Sequence, residues 1–333
     1  MKKFALLLVL AITVMGCRET QKPISVNEEI PSQKLKQVDD VLDDFRQSLE
    51  NSDIESFYDL CQPGTEEINS IYFMEFISEG QSFIEFFLEE DFQKENRYYI
   101  SSESYKNEII AYASEGYNFQ VPDQLDDGYS RFVYVVEGEY NNFDIVLTVV
   151  FSEVDQGFKI ERFTLGDIRP YGQSVLSLID KAEKLEDEGY LISAWQFNEL
   201  ASEFLSPSPF IYFNGETRII NNMNRLSETL SEEVLLPMDV ELEEGVHLKL
   251  YAIDSNKYKD GFYCRIVYVS NLPERQASET FIREEAKNLH KRVMELLPGL
   301  GQGFEDKILY TAYFEAPVEQ GKNYKNITVN IKE

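Results

Sequence analysis

The sequence predicts an α+β protein with more than one domain. Three observations carry this reading. Helical periodicity dominates the first hundred residues, and a run of alternating strands follows it, so helices and strands are segregated rather than interleaved. A second block of helices and strands then repeats the segregation further along. The length of 333 residues suits roughly two domains. Composition agrees: 31 Lys and Arg stand against 60 Asp and Glu, a formal net charge of −29, yet 43% of residues are hydrophobic and 13% aromatic. Such a chain has the material for packed cores beneath an acidic surface. The same charge argues against nucleic acid, because a net anion loses the counterion release that drives phosphate binding.

The N-terminus reads as a targeting segment. Lys2 and Lys3 precede an apolar run from Phe4 to Met15. That run is shorter than the ~20 residues a membrane-spanning helix needs, but it has the length of a signal-peptide core. Val14-Met15-Gly16-Cys17 follows, and then the polar Arg18-Glu19-Thr20. This resembles the bacterial lipoprotein signal, in which a small residue precedes an obligatory cysteine. The resemblance implies removal of residues 1–16 and attachment of lipid to Cys17. It also implies a cell-membrane or outer-membrane location, with the body in the periplasm or outside the cell. Arg18 is not the Asp associated with inner-membrane retention, which favours the outer membrane in a Gram-negative cell. Residues 17–32, with Pro23 and Pro31, are expected to form a flexible tether.

Leu35, Val38, Val41 or Leu42, Phe45 and Leu49 recur at helical spacing, with Asp39, Asp40, Asp43 and Asp44 between them as the wet face. Asn51-Ser52-Asp53 ends that helix and caps a short second one, which Pro63-Gly64 terminates. Residues 71–92 are apolar at mixed helical spacing. Residues 109–115 are a short strand candidate, and 131–140, 143–150 and 157–165 are clearer ones. The alternation of Phe132, Tyr134 and Val136, and of Ile145, Leu147 and Val149, marks half-buried strands. Residues 33–168 resemble the cystatin-like roll of nuclear-transport-factor-2-like domains, through the helices-then-meander order and the closing pattern Val146 to Val150, Gly157, Lys159-Ile160. That resemblance implies helices lying on a curved antiparallel sheet. It also implies a cone that, in enzymes of the family, holds an acid/base Asp or His.

Residues 169–209 are expected to form a helical-hairpin connector. Two helices are split by Gly189, Ala182, Ala194 and Ala201 sit at close-packing positions, and Ser206-Pro207-Ser208-Pro209 closes the segment. The spacing is like a tetratricopeptide pair, but one pair makes no solenoid, and Trp195 and Asn198 depart from that pattern. Residues 210–333 then form a second α+β domain with an antiparallel sheet. Its parts are a short strand at 210–213, a helix at 217–230, and a hairpin of 246–253 with 261–269 around a turn at 254–260. A helix capped by Ser278 buries Ile282, Ala286, Leu289, Val293 and Leu296, and closing strands follow at 307–314 and 323–331.

Few residues offer catalytic or metal chemistry. The two histidines, His247 and His290, read as surface residues, and no zinc spacing or nucleophile elbow is present. Gly299-Leu300-Gly301-Gln302-Gly303 follows a helix and precedes a strand, the reverse of a dinucleotide loop, so it reads as a helix cap. Asp123 to Gly128 has the character of a calcium loop, but Tyr134 stands where the closing Glu belongs. The other acidic runs (Asp39 to Asp44, Glu89 to Asp91, Glu241 to Glu244) read as solvated faces. After lipidation Cys61 and Cys264 remain. A disulfide is open to an exported protein, but two separate buried hydrophobes fit their sequence separation better.

The sequence therefore favours a lipid-anchored, non-enzymatic binding or assembly module with no cofactor. Its partners are the membrane through Cys17, and an envelope protein or a glycan. The alternative is a cone-pocket hydrolase or isomerase using a buried carboxylate. Asp144 and Glu161 come nearest to that role, but Asp144 alternates away from the Ile145/Leu147/Val149 face and Glu161 sits between charged neighbours, so no catalytic residue is assigned. Cells fed a fatty-acid analogue should label the protein, and Cys17→Ala should abolish the label; undiminished labelling of the variant would refute the anchor.

Overall fold

The computed structural model describes residues 24–78, 94–102, 109–112, 116–121, 128–140, 143–155, 157–242, 245–258, 260–304, 307–316 and 326–332. Cys17, the expected signal segment, residues 79–93 and the Asp123 loop lie outside the described residues. The architecture is α+β, with antiparallel-rich sheets. Contacts divide the chain into two compact units. The first comprises Met1–Ile109, Gln120–Gly138 and Val146–Leu165; the second comprises Ile110–Phe119, Glu139–Ile145 and Gly166–Glu333.

In the first unit, strand β1 (Ile24–Val26) precedes helices α1 (Ser32–Glu50), α2 (Ile54–Leu60) and α3 (Glu66–Ser78). Asp53 caps α2, its carboxylate accepting from the Ser56 amide at 3.1 Å. Strands β2 (Lys94–Ile100), β5 (Arg131–Tyr140), β6 (Phe143–Val154) and β7 (Gly157–Pro170) follow, and between β2 and β5 the chain supplies β3 (Ile109–Ala111) and β4 (Tyr117–Gln120), most of whose residues belong to the second unit. One sheet has the order β1-β2-β5-β6-β7. Residues 24–32 are therefore not the flexible tether expected of them. Ile24 and Ile30 are buried, and β1 pairs antiparallel with β2, which lets short apolar side chains between prolines close a sheet edge.

The helices carry their apolar stripe, Val38, Leu42, Phe45 and Leu49, inward with little or no exposure. Phe57 stacks on Phe73 at 4.4 Å and meets Phe163 of β7 edge-on at 5.8 Å, while Phe45 approaches the same Phe163 ring at 5.3 Å. Strand β7 is a sheet edge, and the helical side satisfies its backbone. The Gln62 amide donates to the Ile160 carbonyl at 2.7 Å. Buried Asn69 donates to the Glu161 carbonyl at 3.1 Å and accepts from the Phe163 amide at 3.3 Å. An edge so occupied presents few backbone groups to another chain.

The second unit contains helices α4 (Val175–Asp187) and α5 (Leu191–Glu203), strand β8 (Ile211–Phe213) and helix α6 (Glu216–Glu233). Strands β9 (Met238–Glu241), β10 (His247–Tyr258) and β11 (Gly261–Val269), helix α7 (Glu279–Leu296), and strands β12 (Lys307–Tyr313) and β13 (Asn326–Lys332) complete it. Ala182, Ala194 and Ala201 are fully buried. Helix α6 adds a third member to the helical pair through Arg218 to Glu183 and Arg225 to Glu186. Strand β4 pairs antiparallel with β8 in a small sheet of order β3-β4-β8.

The larger sheet has the order β13-β12-β11-β10-β9. It is mixed, not antiparallel as expected, because β11 and β12 run parallel from Cys264↔Ile308 to Val269↔Tyr313. Parallel neighbours need a crossover of a dozen or more residues, and α7 supplies it. A strand–strand–helix–strand–strand order fits either pairing, so sequence alone could not choose. Two further expectations change. Asp254 to Tyr258 continue β10 rather than forming a turn. Leu296 is 40% exposed, since α7 ends there and the chain departs into the glycine loop.

That loop is built for close packing. Gly299 has φ +79°, and a Cβ there would lie 2.0 Å from the Tyr190 ring; Gly301 has φ +80° and stands against Ile308. In the first unit, removing the ring at the centre of the aromatic cluster should cost about 3–5 kcal/mol, the scale for burying an empty phenyl site. Phe57→Ala is therefore expected to lower the urea midpoint of that unit sharply, and a loss below about 1 kcal/mol would contradict its central position.

Candidate functional site

The residues singled out by sequence are dispersed. Asp144 is held by the Arg169 guanidinium at 2.5 Å. Glu161 accepts from buried Arg131 at 2.7 Å and from the Ser152 hydroxyl. Each carboxylate thus answers a neighbouring cation. His247 is exposed as expected. His290 is not a surface residue: it is half-buried, with Nδ1 2.9 Å from the Tyr310 hydroxyl, because α7 lies directly on the sheet. Cys61 and Cys264 are both buried and unbridged, and burial pushes each thiol up to about 12. Among the described residues no group of three or more His, Cys, Asp or Glu side chains could hold a metal ion.

A site the sequence reading did not single out lies along α5. Its residues Ile192, Trp195, Glu199 and Glu203 fall at i, i+3, i+7 and i+11, one stripe of the helix. Most of the rest of α5 is enclosed: Ser193, Ala194, Gln196, Phe197, Asn198, Leu200 and Ala201 are all buried. Across the seam, β10 presents Ile253, Ser255 and Lys257 by strand alternation. Helix α6 supplies Ser227, Leu230, Ser231 and Val234, and Leu236 follows it. Together Ile192, Trp195, Leu230, Val234, Leu236 and Ile253 line a largely apolar groove of about 220 Å³. The Trp195 indole N–H donates to the Ser227 hydroxyl at 2.9 Å, which fixes the ring as a wall. Leu235 is 73% exposed and Leu236 39%.

The groove changes character along its length. One helical turn past Trp195, the half-buried Glu199 accepts from the Ser255 hydroxyl at 3.0 Å. Burial holds the Glu199 carboxyl above its ordinary value, and the nearby Asp254 charge adds to this against the hydrogen bond. Glu203, a turn further and more exposed, is also raised by desolvation, with Asp167 reinforcing and Lys257 opposing. Lys257 pairs with Asp167 at 2.5 Å, and Arg265 grips Asp254 through two hydrogen bonds of 2.8 and 2.6 Å.

Chemically, the arrangement offers an apolar trough that ends in carboxylates. Sequence signals for it existed. The only tryptophan of the chain sits three residues from Ile192, and Leu235-Leu236 follow a helix that does not need them. In sequence Trp195 registers only as a departure from the tetratricopeptide pattern.

The raised Glu199 gives a pH dependence with a definite sign. Below the ordinary carboxyl value of 4.5 both folded and unfolded forms are protonated. As pH rises through the higher folded value, the native state holds more protons than the unfolded chain, so stability is lost. Glu199→Gln should flatten that decline and make the protein more stable than wild type at neutral pH. Thermal unfolding between pH 4 and 8 measures it, and an unchanged slope would contradict a desolvated Glu199. No protein-family model, no curated protein and no solved structure matches this chain.

Proposed function

We propose that the protein is a lipid-anchored envelope protein that binds a partner protein without transforming it. The observation that carries this reading is the α5–α6–β10 groove, with the exposed Leu235 and Leu236 beside it. Apolar side chains gathered at a surface concavity are the usual mark of an interaction site. Five of the six apolar side chains lining the groove are aliphatic, which suits peptide side chains better than sugar rings, whose faces prefer flat aromatics. The nearest sequence alternatives for a catalytic base, Asp144 and Glu161, are engaged by arginines. In the folded chain both carboxylates are thus occupied in holding their cations. Anchoring rests on the resemblance of Val14 to Cys17 to a lipoprotein signal. No helix among the described residues is long and apolar enough to cross a membrane.

A photo-crosslinking amino acid at position 235 tests the reading in membranes of intact cells. A discrete adduct is expected at Leu235 and not at the exposed control position Glu50. Equal or absent crosslinking at the two positions would count against a binding role.

A further inference from the structure

The groove has two ends of different chemistry, and this specifies an occupant more narrowly than a binding role does. Four residues of helix advance about 6 Å, and two residues of strand about 6.6 Å. Glu199 therefore stands about 6 Å beyond Trp195 along α5, and Ser255 a similar distance beyond Ile253 along β10, with Glu199 and Ser255 hydrogen-bonded to each other. The apolar walls thus run directly into the carboxylates. The charged groups at this end are Asp167 on β7, Glu199 and Glu203 on α5 and Lys257 on β10, while Asp254 of β10 and Arg265 of β11, out of alternation with Ser255, pair with each other on the other face of the sheet. Of the groups at this end three are carboxylates and one is a cation, Lys257, which is bound to Asp167.

We propose that the groove docks a peptide segment of a partner protein carrying two aliphatic side chains followed by a Lys or Arg. The aliphatic groups lie against Trp195, Leu230 and Leu236, and the cation answers Glu199 and Glu203. This deepens the binding role proposed above and rests on it. Charge complementarity selects the occupant. A neutral apolar segment leaves the Glu199 end uncompensated, and an acidic one is repelled. A second copy of this chain is disfavoured by its own net charge of −29. An arriving cation also stabilises the ionised Glu199 that burial penalises, so the peptide binds more tightly as pH rises from acid to neutral.

The chain's single tryptophan, Trp195, reports occupancy by its own fluorescence. The test selects a random peptide-display library on the purified full-length body, then titrates the enriched peptides against Trp195 emission. Expected are sequences with an aliphatic pair and a following Lys or Arg, weakened by salt. Binding should fall at least about tenfold in Glu199→Gln/Glu203→Gln, the scale of a half-buried charge pair. It should also fall in Leu236→Asp, which alters an exposed side chain and spares the fold. Peptides that bind both variants unchanged would overturn the groove assignment while leaving the binding role intact. No enrichment, with crosslinking at Leu235 still present, would sink the inference alone; loss of both would remove the binding role too. A concentration-dependent dimer dissolved by Leu236→Asp would assign the groove to a second copy and overturn the proposal.

Discussion

Helix α5 has almost no wet side, and the second unit is arranged around that constraint. It packs against α4, α6 and β10 at once. A helix enclosed this way must offer small residues where neighbours come close and must satisfy every polar group it buries. Ala194 and Ala201 meet the first demand. Ser193, Gln196 and Asn198 meet the second in part: they donate to the carbonyls of Gly299, Asp254 and Ala194, while the Gln196 and Asn198 side-chain oxygens accept nothing. The bonds to Gly299 and Asp254 fix the rotation of the helix about its axis, because a turn of one residue would break both together. With the rotation fixed, the stripe of Ile192, Trp195 and the two glutamates faces outward. The groove is therefore a by-product of packing elsewhere on the same helix.

The first unit solves its packing differently. Large rings at Phe45, Phe57, Phe73 and Phe163 meet in tilted, stacked and edge-on pairs, and these geometries suit the quadrupoles of aromatic faces better than face-to-face sandwiches do. Its polar groups tie elements together at the margin. Lys34 reaches Glu153 and the Tyr99 hydroxyl at 2.7 Å and lies 4.2 Å over the Tyr99 ring, joining α1 to two strands. A cation so placed gains charge-assisted hydrogen bonds and a ring face together.

Periodicity exposed those elements whose apolar positions face one side only. Helices α1 and α7 and strands β6 and β11 were legible because their burial follows 3.6 or 2.0 residues, or forms an unbroken apolar run. Strand β2, Lys-Glu-Asn-Arg-Tyr-Tyr-Ile, was not legible, since its first half is polar and burial is confined, among its described side chains, to Tyr98, Tyr99 and Ile100. Strand β4 was missed because four residues after Gly116 carry too little pattern. The parallel pairing of β11 with β12 is a property of where α7 crosses, which no local spacing encodes. The groove was hidden for a related reason: its walls come from a helix that is apolar nearly all round, so no single face announces itself. The carboxylate end depends on Ser255 and Asp254 belonging to a strand, where sequence suggested a turn.

The two buried cysteines have a practical consequence. Cys61 lies in the first unit and Cys264 in the second, each shut away from solvent, with its thiol held near 12. A thiol so protonated and enclosed is inert toward alkylating reagents and mild oxidants until its surroundings open. Once exposed, each returns to ordinary thiol chemistry. Pulsed alkylation followed by peptide mass analysis therefore times the opening of the two units independently in one sample, without any engineered probe.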